Sequence, residues 1–193
     1  MRLYRPPTNK FTIEHMWLVF DHLIAGRPVI YYSCPISTGK RFIDWWQQFG
    51  HALPDVDYQI ELLNCVIQPN RIEAERLFNM AALNTDVSHV CPAEIDFTAW
   101  SHEECMQFWL RFFEQQIISE VVCLSDWAYS LGCVMEYHAA RKHNLSVREL
   151  DNCIHLAKVL ADMADCMELM QHAGIGFSRY KEEYQQLQRL IAK

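Results

Sequence analysis

The chain has 193 residues, enough for one domain with a sizeable core, and its 51% hydrophobic content excludes the disordered class. It carries 24 acidic against 17 basic side chains, a formal net charge of -7. That balance argues against nucleic acid or an anionic membrane as partner, since both need a basic face, but it leaves room for a small anionic ligand held by a local loop.

The eight cysteines contain no C-x-x-C pair. The spacing therefore predicts reduced, mostly buried thiols and a cytoplasmic chain, with no structural metal. Residues 1–10 are polar and proline-containing, and no apolar run is long enough to cross a bilayer.

In chain order, "FTIEHMWLVFDHLIAG" predicts a helix with Phe11, His15, Leu18, Val19, His22 and Leu23 near one face and Gly26 as its stop. "RPVIYYS", short, β-branched and aromatic, predicts a buried strand. "CPISTGKRF" is a loop leading into the helix "RFIDWWQQFGHAL". "PDVDYQIELLNCVIQ" and "NRIEAERLFNMAALN" read as helices punctuated by Pro54 and Pro69. "VSHVCPAEID" is a second strand ending in a Cys-Pro loop. "SHEECMQFWLRFFEQQII" is a helix with Ser101 as N-cap and Glu104 closing a capping box. "SEVVCLSDW" is a third strand, and "SLGCVMEYHAARKHNLSV" a helix after it. "SVRELDNCIHLAKVLADMADCMELMQHAG" predicts one long helix with a capping box at Ser146 and Glu149 and an end at Gly174, and "FSRYKEEYQQLQRLIA" a last amphipathic helix. No strand is expected in the last third.

Strands alternating with helices predict an α/β fold with a parallel sheet flanked by helices, and ligands in such folds bind outside the carboxyl ends of the strands. Three loops converge there: 33–41, 91–96 and 125–136. The first offers Ser33, Ser37, Thr38, Gly39, Lys40 and Arg41, a hydroxyl-rich, cationic turn at a helix N-terminus, suited to an anion or simply a polar turn. It is not a Walker A loop, because "GK" is followed by Arg. The second loop offers Glu94. The third offers Asp126, Trp127 and Ser130; Trp127 at a strand exit stacks on a flat ring or covers the sheet edge. Gly132 and Glu136 share a helix face, with Glu136 either a solvated side chain or a carboxylate aimed at a substrate.

The segments "YYSCPISTGKR", "VCPAEID" and "VVCLSDWAYSLGCVMEYHAARKH" resemble the three landmark segments of the nucleoside 2-deoxyribosyltransferase-like superfamily, which includes the 2'-deoxynucleoside 5'-phosphate N-hydrolases. Ser130, Gly132 and Glu136 match its last segment position by position, and Ile36 and Gly39 match its first. The resemblance spans roughly residues 28–145, with a gap. It implies a flavodoxin-like or Rossmann-like fold and cleavage of an N-glycosidic bond with Glu136 as nucleophile. The first loop (Ser33, Ile36, Ser37, Gly39, Lys40, Arg41) and Ser130 would hold a 5'-phosphate. Glu94, Asp126, Trp127 and Gly132 would complete the substrate site, with no cofactor. Two positions depart from the pattern: Cys34 replaces a glycine, and Phe112 an aspartate that orients the sugar or protonates the base.

The expected organisation is a single domain over 1–193, with a core at 27–145, extra helices in the middle and a helical extension over 146–193. The expected partner is a nucleoside or nucleotide, with neither nucleic acid nor membrane. The apolar helical stripes and the resemblance both point to a homo-oligomer, most simply a dimer. Two other readings stay open: a nucleotide-binding sensor of the same fold that has lost catalysis, and a hydrolase of a larger nucleotide such as NAD.

Overall fold

The computed structural model describes residues 13–24, 26–82, 87–95, 100–150 and 152–191. Among these, α1 (Ile13–Ile24) leads into strand β1 (Val29–Ser33), followed by α2 (Lys40–Gln48), α3 (Asp55–Leu62) and α4 (Gln68–Ala81). Next come β2 (Ser88–Val90), α5 (His102–Glu114), β3 (Ile118–Cys123), α6 (Leu131–Lys142) and β4 (Ser146–Glu149). Helices α7 (Leu156–His172) and α8 (Ser178–Ile191) close the chain.

The four strands form one sheet in the order β2-β1-β3-β4, every pair parallel. Helices cover it, giving the expected α/β fold of flavodoxin-like or Rossmann-like type with extra helices. The chain winds outward in opposite directions from β1 and β3, so the crevice between their carboxyl ends is the switch point where such sheets bind ligands. Leu124 N–H donates to Ser33 C=O at 2.9 Å and extends that pairing to the mouth of the crevice.

The core beneath the crevice is aromatic. Trp17 and Phe20 of α1 meet Phe108 and Phe112 of α5 edge to face, with Trp17 and Phe112 centroids 4.6 Å apart. Burying each such side chain contributes about 2–3 kcal/mol before ordering entropy is charged. This packing corrects the face expected for α1. Leu18 and Leu23 are 64% and 67% exposed, and Trp17 and Ile24 point inward instead. The larger rings bury more area, and they sit opposite the aromatic face of α5. Phe11 lies outside the described residues.

Two further expectations change. Pro69 does not break the helix before it. A π turn over Leu63–Ile67 links α3 to α4, and Pro69 falls in the first turn of α4, where a missing N–H is tolerated. The expected long helix from Ser146 begins only at Leu156, and 146–149 is strand β4, paired with β3 from Glu120↔Ser146 to Cys123↔Glu149. The open edge of β3 offers parallel backbone partners, and Arg148 Nε donates to Glu120 Oε1 across it at 2.7 Å. Those contacts outweigh the local capping pattern. At α5 the pattern does prevail: Glu104 N–H donates to Ser101 Oγ, and Ser101 N–H donates to Glu104 Oε2 at 2.7 Å. Among the described residues no helix is long and apolar enough to cross a membrane.

Candidate functional site

Alternation along β1 sends Tyr31 and Ser33 to one face of the sheet and Tyr32 to the other, where it packs on Phe78 and bonds to His89. Glu136, in the second turn of α6, lies against the first face. Tyr31 Oη donates to Glu136 Oε1 at 2.6 Å, and Ser33 Oγ donates to Oε2 at 2.5 Å. Both carboxylate oxygens are therefore held, and the carboxylate cannot swing away from the crevice.

Glu136 is only 5% exposed. Burial pushes its pKa up from 4.5 to about 7, while the hydrogen bonds from Ser33 and Tyr31 pull it down. Near neutral pH both forms are thus populated; an ionised carboxylate is chemically able to act as a nucleophile and a protonated one as an acid. The neighbouring groups cannot compete as nucleophiles. Burial pushes the Cys133 thiol up to about 12 and that of Cys105 to about 11, so both stay protonated. Burial, with Glu136 adding to it, also holds the Tyr31 phenol well above its ordinary range, so it remains a donor.

Glu136 opens onto a cavity of about 270 Å³, close to the lower end for small-molecule sites. Ile67, Pro92, Ile95, Trp100, Met106 and Trp109 supply apolar wall. Ser37, Thr38, Arg71, His102 and Ser130 supply the polar remainder. Thr38 Oγ1 and Ser130 Oγ lie 2.8 Å apart. Ser130 occupies the N-cap position of α6 without capping it through its side chain, so its hydroxyl is engaged with the first loop and not with its own helix. The N-terminus of α2 sits beside it, and a Cβ on Gly39 would lie 4.0 Å from Ser130 Cβ. Gly39 has φ +100, and the same Cβ would meet Pro35 at 2.9 Å, so the turn requires glycine. A Cβ on Gly132 would come within 3.3 Å of Met106 Sδ, so this glycine lets α5 and α6 approach closely at the cavity wall.

The segment that aims α6 is braced by the last two helices. Tyr129 Oη donates to Asp165 Oδ2 at 2.6 Å, and Tyr180 Oη donates to the Ala128 carbonyl. The C-terminal helices thereby fix the approach of α6 to the sheet.

Of the residues expected from sequence, Ser33 holds Glu136, and Ile36, Ser37, Ser130 and Gly132 line the same cavity. Lys40, Arg41 and Asp126 do not; they line an adjoining recess of about 50 Å³ that shares Cys34 and Thr38 with the cavity. There Arg41 is engaged by Asn70 at 2.8 Å and Glu73 at 3.0 Å, and the Lys40 ammonium sits 5.6 Å from the Tyr129 ring centre. Trp127 corrects the stacking expectation. It is buried, its ring 4.9 Å from that of Tyr137, with Nε1 donating to Glu149. Glu94 is exposed on the short turn Pro92–Glu94, whose Pro92 lines the cavity in its place. Partial desolvation first, and the Glu75 charge second, raise its pKa. Phe112 is fully buried in the aromatic core, and α5 turns His102, Cys105, Met106 and Trp109 to the cavity. Asp96 lies outside the described residues.

Tyr31 and Arg71 are among the site residues that escaped sequence reasoning. Tyr31 was legible in principle, because it stands two positions before Ser33 on a strand and so shares its face. Arg71 left no comparable signal: it reaches the cavity from α4, and only tertiary packing brings it there.

Comparison with family models, with curated proteins and with solved structures finds no match for this chain.

Proposed function

We propose that the protein cleaves or transfers the N-glycosidic bond of a nucleoside or deoxynucleoside 5'-monophosphate, with Glu136 as nucleophile. The observation that carries this reading is the Glu136 carboxylate, buried at the switch point of the sheet and held by Tyr31 and Ser33 at the wall of a cavity. Mixed apolar and polar walls suit a ligand with a flat base at one end and a charged, hydroxylated sugar at the other.

In the reaction, a Glu136 oxygen attacks the anomeric carbon. The C–N pair leaves with the base, which takes a proton from water. Positive charge builds on the sugar as the bond breaks, and the carboxylate stabilises it before bonding to the carbon. Water, or the nitrogen of a second base, then displaces the carboxylate and releases the sugar phosphate or a new nucleotide. Tyr31 and Ser33 fix the attacking oxygen, so little orientation entropy is lost at the transition state.

The test is incubation with a panel of nucleoside and deoxynucleoside 5'-monophosphates, followed by chromatography for free base. Base release by the wild type and its loss in Glu136→Ala are expected. Equal turnover by the variant removes Glu136 from the mechanism.

A second reading, a nucleotide-binding sensor, is favoured by α5. Its cavity face carries His102, Cys105, Met106 and Trp109 and no carboxylic acid; the thiol stays protonated and burial keeps the imidazole neutral, so none of them is a strong acid for a departing base at neutral pH. A sensor is thermally stabilised by a nucleotide and releases no base from it.

A further inference from the structure

We propose that Arg71, contributed by α4, is the cation that makes the Glu136 cavity select a phosphorylated ligand. The inference rests on the reading of that cavity as a nucleotide site. The cations adjoining the first loop in sequence, Lys40 and Arg41, do not line this cavity; they line an adjoining recess and a hollow with Asp44 and Asp126. Arg41 is paired there with Glu73, and the Asp126 carboxylate shares that recess. Two carboxylates beside two cations leave little net attraction for an anion.

Arg71 stands in the other cavity. Its Nε donates to the Ala93 carbonyl at 2.9 Å, which anchors the guanidinium at the exit of β2. Its neighbour Asn70 donates to the Ile36 carbonyl at 2.9 Å, which draws α4 against the loop that carries Ser37 and Thr38. Arg71, Ser37, Thr38 and Ser130 thus line one cavity from three elements. Among the described residues Arg71 takes part in no ion pair. A guanidinium fixed through Nε keeps the donors of its Nη groups for a planar or tetrahedral oxyanion, and a phosphate monoester accepts them as charge-assisted bonds.

Among the described residues that line the cavity, Arg71 carries the one permanent positive charge. Glu136, its pKa raised to about 7, is partly ionised near pH 7 and then repels a phosphate dianion. Burial lowers the His102 pKa, and Arg179 lowers it further, so the imidazole is neutral there. Arg71 therefore supplies the charge that offsets both.

Titration calorimetry on the full chain tests this, using the four deoxynucleosides, their 5'-monophosphates and inorganic phosphate as probes at pH 7.5. The wild type is expected to bind at least one monophosphate more tightly than its nucleoside. Arg71→Gln is expected to lose that preference, weakening monophosphate binding about 10- to 100-fold, the worth of one charged hydrogen-bonding group, with nucleoside binding unchanged. Arg41→Gln is expected to keep the preference. Retention of the preference by Arg71→Gln overturns the proposal, as does its loss in Arg41→Gln alone. Failure of the wild type to bind any monophosphate or inorganic phosphate overturns it too. If Arg71→Gln loses its cooperative thermal transition, Arg71→Lys decides: a several-fold weakening for monophosphates supports the role of the guanidinium fork, and unchanged affinity overturns it. An Arg71-dependent phosphate preference without base release refutes the glycosidase chemistry and leaves the role of Arg71 standing.

Discussion

Glu136→Gln separates the cost of the buried carboxylate from everything else in the fold. An unfolded chain titrates this group near 4.5, and the folded protein holds it near 7. Between those values the folded state binds the proton more tightly, so stability falls as pH rises through the window. Below 4.5 both states are protonated and the group costs nothing. Above 7 both are ionised, and the folded state carries the full penalty of about 3 kcal/mol, at 1.36 kcal/mol per pKa unit. Glutamine has no proton to lose, and the Tyr31 and Ser33 hydroxyls can rotate to serve its amide. Urea denaturation of both proteins at pH 5 and pH 8 measures the effect. The stability difference between variant and wild type should grow in favour of the variant by about 2 to 3 kcal/mol from pH 5 to pH 8. Every other titrating group cancels in that comparison. A difference that stays constant with pH would refute the claim that burial raises the Glu136 pKa.

Base release should rise with pH through about 7 as the nucleophile ionises, and Tyr31→Phe should move the midpoint upward, because it removes a donor that lowers the Glu136 pKa. An unmoved pH-rate midpoint in that variant would disconnect Tyr31 from the ionisation of Glu136. Gly39→Ala should lower Tm by several degrees, since a Cβ at φ +100 and 2.9 Å from Pro35 costs about 1–3 kcal/mol; an unchanged Tm would show that the first loop relaxes without cost.

The site shows how far residue pattern reaches. Ser33, Ser130 and Glu136 were legible because each depends on local order: a strand exit, a helix start, and one face of that helix. Lys40 and Arg41 looked equally suited to an anion, being next to Ser37 and Thr38. The helix α2 turns them to the other side of the loop, where Glu73 and Asp126 share their recess. Sequence proximity fixed their distance along the chain and left their direction undetermined. Trp127 failed for a related reason. A large ring at a strand exit gains as much by burial against Tyr137 as by waiting for a ligand, and here the core takes it.

The strands and helices through α6 followed from periodicity, because burying one face of an element requires apolar residues at that element's own repeat. The capping box at Ser101 and the stop at Gly174, with φ +68, are equally local and equally secure. The edge strand β4 was decided by β3: its pairing partners lie some 25 residues back in the chain, and no pattern within 146–149 records them. The charge balance of the cavity was decided the same way. Arg71 shares a cavity with Glu136 from 65 positions away, and the raised pKa of that carboxylate exists only because the sheet, α5 and α6 exclude water from it together. The sequence by itself therefore determined the strands and helices through α6 and named Glu136 among the candidate carboxylates, and it missed β4. Tertiary structure alone decided how that carboxylate titrates and which cation shares its cavity, because desolvation and charge act through space and not along the chain.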